Sequence, residues 1–301
     1  MRWRLHSPPS SELTARKRLI SCGDNLPFLG KLSDRSVDLV YLDPPFASGR
    51  DYRTVDRSSG KQTDGGFGDR WQWDEHCDAD FQALCSHEFN GRFWVGMELV
   101  LRRAAMLAYL VYLAPRLSEM RRVLKDTGSL YLHCDQKASA HLKLLLDELF
   151  GMDCYLNTIV WCYGLGGSSP RRWPRKHDDI LWYGKTNGKH FFAPVMEAAS
   201  SERMKGMLKK TPDYWNIPSL NNMAHERTGY PTQKPLELLE RIIASSCPPD
   251  SIVLDPFCGS GTTLVAAEKL GRGWIGIDSN PEAIATAEKR LSQLKQSTLT
   301  I

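Results

Sequence analysis

Two segments of the chain, DLVYLDPPF at 38–46 and IVLDPFCGSGTT at 252–263, each run an apolar stretch into an Asp and then a turn built from Pro or Gly. Such a pattern reads as a strand closing at the carboxyl edge of an open α/β sheet, the edge where ligands bind. Further apolar β-rich runs stand at Leu19–Cys22, Ser129–His133, Thr158–Trp161, Ile180–Tyr183 and Trp274–Ile277. Helical patterns fall at 96–124, 136–149, 235–246, 261–270 and 281–295. In the third of these, Leu236, Leu239, Ile242 and Ile243 recur at helical spacing. Strands alternating with helices predict a mostly parallel sheet of seven strands, covered on both faces. The strands near 252 and 274 are expected beside those near 19 and 37, with both Asp turns on one edge.

Two stretches interrupt the alternation. Residues 47–92 are rich in Gly, Asp, Arg and aromatics, and 163–230 hold GLGGSS, RRWPRKH and a Lys-rich run. Irregular insertions of this length in a compact domain are usually functional loops. Residues 1–17 read as a flexible basic tail, leaving 18–301 as one domain with both insertions. With 42% hydrophobic and 25% charged residues, the composition is that of an ordinary globular protein. The longest apolar run, Ala104 to Ala114, is too short to span a bilayer and reads as a buried helix. Eight scattered cysteines form no CxxC pair, as expected of reduced thiols in an intracellular protein. His76, Cys77, Cys85 and His87 cluster in a spacing that matches no zinc pattern, so no metal is expected. The net charge of +4 is compatible with a nucleic-acid partner but does not argue for one.

In the second Asp turn, the Gly-rich segment lets backbone N–H groups and a helix N-terminus approach an anionic group. A phosphate-binding P-loop would need GK[ST], and this turn has no lysine. A dinucleotide fingerprint would need a third glycine where Leu264 stands. The next strand, GWIGIDSN, ends in Asp278, about 20 positions after the turn, where a carboxylate can accept both hydroxyls of a cofactor ribose. The alternative for Asp278 is a surface residue capping the helix that opens at Pro281.

In the first Asp turn, prolines fix φ and remove N–H donors, leaving a stiff turn with free carbonyls. An exocyclic amine is a poor nucleophile, because its lone pair is delocalised into the ring. Two acceptors, ionised Asp43 and the Pro44 carbonyl, can localise that lone pair. Asp43 can then stabilise charge that develops on the nitrogen. Phe46 offers a flat aromatic face on which a planar group can stack.

DPFCGSGTT with DPPF resembles the β-group of S-adenosylmethionine-dependent DNA amino-methyltransferases, which modify adenine N6 or cytosine N4. The catalytic motif precedes the cofactor motif by about 210 residues, a circular permutation of the usual Rossmann-like methyltransferase order. The resemblance implies S-adenosylmethionine as cofactor. It implies Asp43, Pro44, Pro45 and Phe46 as catalytic residues. It places Asp255, Phe257, Gly259, Ser260, Gly261, Thr262, Thr263 and Asp278 on the cofactor. YPTQKPLELLERII at 230–243 resembles the segment that holds the methionine end of the cofactor, implicating Thr232, Gln233 and Lys234. GDN at 23–25 resembles the segment whose acid, here Asp24, meets the cofactor adenine. RVLKDTGSLYLHCD at 122–135 and IVWCYG…DDILWYGK at 159–185 resemble the remaining central strands. Asp at the first motif position points to adenine N6, where Ser would point to cytosine N4. Phe46 departs from the commoner Tyr, keeping the stack and losing a hydroxyl. RNA and protein-amide methyltransferases more often carry NPPY in unpermuted order, and the intact Asp43 and Gly turn argue against a silent binding module. No Pro-Cys dipeptide occurs, so the Cys chemistry of cytosine C5 enzymes is not expected.

DNA is the implied partner, and a flipped base is the implied substrate, because a paired amine cannot be reached inside a duplex. RRWPRKH at 171–177 supplies the expected phosphate contacts, Arg171, Arg172, Arg175 and Lys176. By position in the family, the 163–230 region carries target recognition. A homodimer and a cognate restriction enzyme are further partners compatible with the resemblance, which implies a cytoplasmic, nucleoid-associated protein. No membrane association is expected.

Overall fold

The computed structural model describes residues 18–47, 49–55, 62–86, 91–164, 168–199, 202–221 and 223–298. The expected tail at 1–17 and His87 of the Cys/His cluster lie outside them.

A central sheet runs through the described chain. Its strands are β1 (Arg18–Cys22), β2 (Val37–Leu42), β5 (Leu124–Cys134), β6 (Tyr155–Cys162), β7 (His177–Gly184), β10 (Tyr214–Asn216), β11 (Ile252–Asp255) and β12 (Gly273–Asp278). Their spatial order is β1-β12-β11-β2-β5-β7-β6-β10. The strands near 252 and 274 therefore lie beside those near 19 and 37, as expected. Only β7 runs against its neighbours β5 and β6. The sheet has eight strands, not seven. The eighth, β10, comes from inside the 163–230 insertion and pairs parallel with β6 at Trp161↔Trp215. Three residues with a single buried side chain give too short an alternation to read as a strand.

The insertions also carry two hairpins, β3 (Arg50–Val55) with β4 (Gln62–Asp69) and β8 (Met196–Ala198) with β9 (Leu208–Lys210). The helices are α1 (Asn25–Leu29), α2 (Glu75–Cys85), α3 (Gly91–Leu101), α4 (Ala105–Val123), α5 (Ser139–Phe150), α6 (Leu236–Ser246), α7 (Thr262–Lys269) and α8 (Pro281–Thr298). The single helix expected over 96–124 is two. Arg102 adopts φ 53 and closes α3, and α4 starts after extended Ala104. Apolar periodicity runs through both helices, so it carries no sign of the break. None of the described helices is long and apolar enough to cross a membrane.

Alternation along β2 divides the core. Val40 and Leu42 face a layer formed by α1 to α5, whose buried side chains include Leu107, Leu110, Leu142 and Leu145. Leu39 and Tyr41 face α6, α7 and α8, in a cluster with Leu239, Ile242, Leu264 and Ile284. All six β2 residues are buried, including Asp38. Asp38 takes two hydrogen bonds from Lys125 Nζ, at 2.8 and 2.9 Å, and one from the backbone N–H of Ile252 at 3.0 Å. A buried carboxylate persists only when its oxygens are satisfied. Here the satisfaction fixes the registers Val40↔Leu254 and Val37↔Leu124 around the strand that ends in Asp43.

Replacing Asp38 with Ala strands the Ile252 N–H and the Lys125 ammonium. Urea unfolding is expected to show a loss of about 2–3 kcal/mol, the scale of hydrogen bonds to a charged group. A loss below about 0.5 kcal/mol, the size of an ordinary surface substitution, would contradict this role for Asp38.

Candidate active site

Four adjacent parallel strands, β1, β12, β11 and β2, end on one edge, and each ends in or within two residues of an acid: Asp24, Asp278, Asp255 and Asp43. Between them lies a cavity of about 350 Å³, within the size range of small-molecule sites. Asp24, all of the DPPF turn, Thr232, Gln233 and Lys234 line it. So do Asp255, Phe257, Gly259, Ser260, Thr262, Thr263 and Asp278. Gly261 does not line the cavity. Its φ is +76°, and a Cβ there would lie 2.6 Å from the Ala287 Cβ of α8. This glycine serves helix packing behind the turn, which the motif alone could not distinguish from ligand approach.

The Gly turn is held from below by Asp278. One carboxylate oxygen accepts the Gly259 N–H at 2.8 Å and the other accepts the Asn280 N–H at 2.8 Å. Burial pushes the Asp278 carboxyl above its ordinary value, and those two N–H bonds oppose the push. Each oxygen retains a second lone pair toward the cavity. Arg290 of α8 closes the turn from behind, with Nη1 donating to the Ser260 carbonyl at 2.8 Å and to Thr262 Oγ1 at 2.9 Å.

Arg116, which sequence reading missed, organises the opposite wall. It lies on α4 and donates Nη2 to Asp24 Oδ1 and Nε to Asn25 Oδ1, each at 2.8 Å. Asn25 in turn donates to the Pro256 carbonyl at 2.8 Å. One buried guanidinium thus couples the GDN and DPF turns. Its only sequence signal was a cation inside an otherwise apolar helical face.

At the DPPF turn, Lys234 Nζ donates to Asp43 Oδ2. Both side chains are largely shielded, at 10% and 17% exposure. The same ammonium lies 5.3 Å from the centre of the Phe46 ring. The sequence expectation aimed Lys234 at the cofactor's methionine end; in the structure it lines the cavity and its ion-pair partner is Asp43. Gln233 lines the cavity too and braces its loop. Its Oε1 accepts from Thr228 N and Oγ1 at 2.8 Å, and its Nε2 donates to the Glu226 carbonyl at 2.7 Å. Thr232 makes the bend with φ 60.

Behind Phe46 stands His133, fully buried, its ring 5.7 Å away and tilted by 24°. His133 Nδ1 is 3.0 Å from the Tyr41 hydroxyl and Nε2 is 3.2 Å from Asp178 Oδ2. Burial raises Asp178, but the His133 hydrogen bond and the charges of His133, Lys234 and His177 outweigh it, leaving the carboxyl below its ordinary value. Tyr41 is pushed well above its ordinary value by burial and by Asp43, Asp255 and Asp178, so it stays a neutral phenol. Asp69, also missed, ties the first insertion to the turn. It accepts the Ala47 N–H at 2.7 Å and Trp71 Nε1 at 3.2 Å. Trp71 packs on Tyr112 at 4.7 Å and Trp73 on Phe81 at 5.3 Å, so these two form a small core against the helices.

Arg171, Arg172 and Arg175 are exposed and Lys176 is half-buried, in the loop from β6 to β7. Because β7 is antiparallel, that loop lies on the same edge as Asp43: Cys162 pairs with His177, and Cys134 with Asp179.

Asp255 is fully buried. Burial raises its carboxyl to about 7, the Phe257 N–H and Thr263 bonds oppose the rise, and the charges of Asp43 and Asp278 add to it. A carboxyl raised on folding favours the folded state most below its unfolded value near 4, and that contribution is lost as pH rises through about 7. From pH 5 to pH 8, the wild type is therefore expected to lose on the order of 2–3 kcal/mol relative to Asp255→Asn, measured by urea unfolding. Parallel pH profiles for the two proteins would contradict a buried, neutralised Asp255.

Residues 37–289 match the DNA methylase family of the N6/N4 type. Among curated relatives, the type II methyltransferase M.HpaI of Haemophilus parainfluenzae is 30% identical over 91% of this chain and 74% of its own. The DNA adenine methyltransferase YhdJ of Escherichia coli K12 is 28% identical over 89% and 81%. Among solved structures, the cytosine-N4-specific PvuII DNA methyltransferase superposes with a TM-score of 0.59 at 17% identity, over 90% of this chain and 85% of that one, a likeness of fold. With the family match spanning both Asp turns and the strands that carry them, this chain belongs to the N6/N4 DNA methylases.

Proposed function

We propose that the chain transfers a methyl group from S-adenosylmethionine to the N6 amino group of adenine in DNA. The observation that carries this reading is Asp43: a shielded carboxylate beside Phe46, with Lys234 on one oxygen, opening into the cavity that ends at Asp278.

The residues fit the cofactor. Asp278 offers lone pairs for ribose hydroxyls, Asp24 stands on the wall opposite, and Gly259 turns at φ +48° where a Cβ would press on the Tyr230 ring at 3.2 Å. Thr232 and Gln233 border the other end. When bound, S-adenosylmethionine supplies a methyl group on a positively charged sulfonium, electrophilic without further activation.

The chain's own residues act on the amine. Lys234 occupies Asp43 Oδ2, which orients the carboxylate and leaves Oδ1 to accept an N–H of the target amine. Accepting that N–H draws the nitrogen lone pair out of the ring system. As positive charge builds on nitrogen, the Asp43 carboxylate stabilises it in a site that excludes most water. Phe46 presents a ring face for the base, and His133 backs that ring. The Tyr41–His133–Asp178 chain of hydrogen bonds keeps His133 from turning. Asp at the first motif position favours adenine, and the relative YhdJ is a DNA adenine methyltransferase.

Arg171, Arg172, Arg175 and Lys176 serve as phosphate contacts in this reading, and the 163–230 region carries target recognition. The circular permutation, a second copy of the chain, a cognate restriction enzyme and a place at the nucleoid rest on the family resemblance.

The test is Asp43→Asn, which keeps shape but loses charge and can turn a donor toward the amine. Methyl transfer to DNA is expected to fall at least about 10²-fold, the scale of one preorganised electrostatic contact, with cofactor affinity kept. Near-full turnover in Asp43→Asn would sink the assignment.

A further inference from the structure

Trp173 is 92% exposed, the most exposed large apolar side chain among the described residues. The seven other described tryptophans are buried or half-buried. Tryptophan is enriched at interfaces, where its ring buries a large apolar face. Its immediate surroundings are cationic: Arg171, Arg172 and Arg175 are all exposed beside it. Pro170 and Pro174 bracket the segment and restrict its backbone.

The base of the loop is fixed. The Tyr163 N–H donates to the Lys176 carbonyl at 3.0 Å, and β6 meets β7 at Cys162↔His177. Two residues beyond Lys176, Asp178 holds His133, on whose ring Phe46 packs. Trp173 thus stands in a loop whose base is fixed on the same sheet edge as the candidate catalytic turn.

We propose that Trp173 inserts into the base stack of duplex DNA at the target, filling the place that the flipped base leaves, while the three arginines hold the flanking phosphates. This rests on the DNA reading above. Apolar side chains are used in this way by proteins that unstack a duplex. An aromatic face can stack on a base of any identity. An apolar groove on a protein partner would have to accommodate three cations around the ring, whereas a base stack flanked by phosphates suits both features.

The inference separates unstacking from simple adhesion. Sequencing of plasmid DNA treated with the wild-type chain identifies the methylated site, and two duplex oligonucleotides carry it. One is fully paired. In the other, the target base faces an abasic position and is already unpaired. Trp173→Ala is expected to lower kcat/KM on the paired duplex about tenfold or more, with less than about a twofold change on the abasic duplex. Trp173→Phe, which keeps a ring, recovers most of the activity on the paired duplex. S-adenosylmethionine affinity by calorimetry stays at the wild-type value in both variants. Equal losses on the two duplexes, or no loss on either, would overturn the proposal while leaving the DNA reading intact. Plasmid DNA left unmethylated by the wild-type chain would overturn that reading and this proposal with it.

Discussion

The parallel pairing of β2 with β11 is the constraint from which the rest of the site follows. Val40 lies opposite Leu254, across more than two-thirds of the chain, and the two strands end in Asp43 and Asp255. A pairing so distant in sequence carries a loop-closure cost that local contacts do not repay. It is held by burial of both strands on both faces and by Asp38, which bonds across to Ile252 and to Lys125 at the start of β5. With the register set, the DPPF turn and the Gly turn open into the same cavity. A slip by one residue would exchange the two faces of β2 and carry Tyr41 away from His133.

That edge gathers Asp24, Asp43, Asp178, Asp255 and Asp278, and the fold manages their mutual repulsion in different ways. Arg116 takes Asp24, Lys234 takes Asp43, and His133 holds Asp178. Asp278 is met by backbone N–H groups. Asp255 receives no cation, and burial drives it toward the neutral form. The carboxylate left facing the cavity with an ammonium beside an aromatic ring is Asp43. A site that concentrates acceptors suits a reaction in which positive charge passes to the substrate.

Most of the architecture was legible because the strands are short apolar runs and the helices carry clear periods. The seven expected strands are all present, and helices α6, α7 and α8 fall within a few residues of their expected spans. What stayed hidden depended on contacts between distant segments. Nothing local marks Arg116 as the clamp on Asp24 rather than a solvated cation, or Asp69 as the anchor for Ala47. His133 was visible only as a histidine at a strand end, and its partners come from residues 41, 46, 161 and 178. Lys234 was found by resemblance, but its pairing with Asp43 spans 191 positions and no motif encodes it. Gly261 shows the converse: a motif residue whose work in this fold is to admit Ala287.

In the function proposed above, Asp43 and the cavity beside it serve methyl transfer to adenine N6 in DNA. The most direct measurement is mass spectrometry of nucleosides from DNA incubated with the purified chain and isotope-labelled S-adenosylmethionine. Labelled N6-methyladenine is the expected product. Labelled N4-methylcytosine without N6-methyladenine would contradict the base assignment, and DNA free of label would contradict the activity itself.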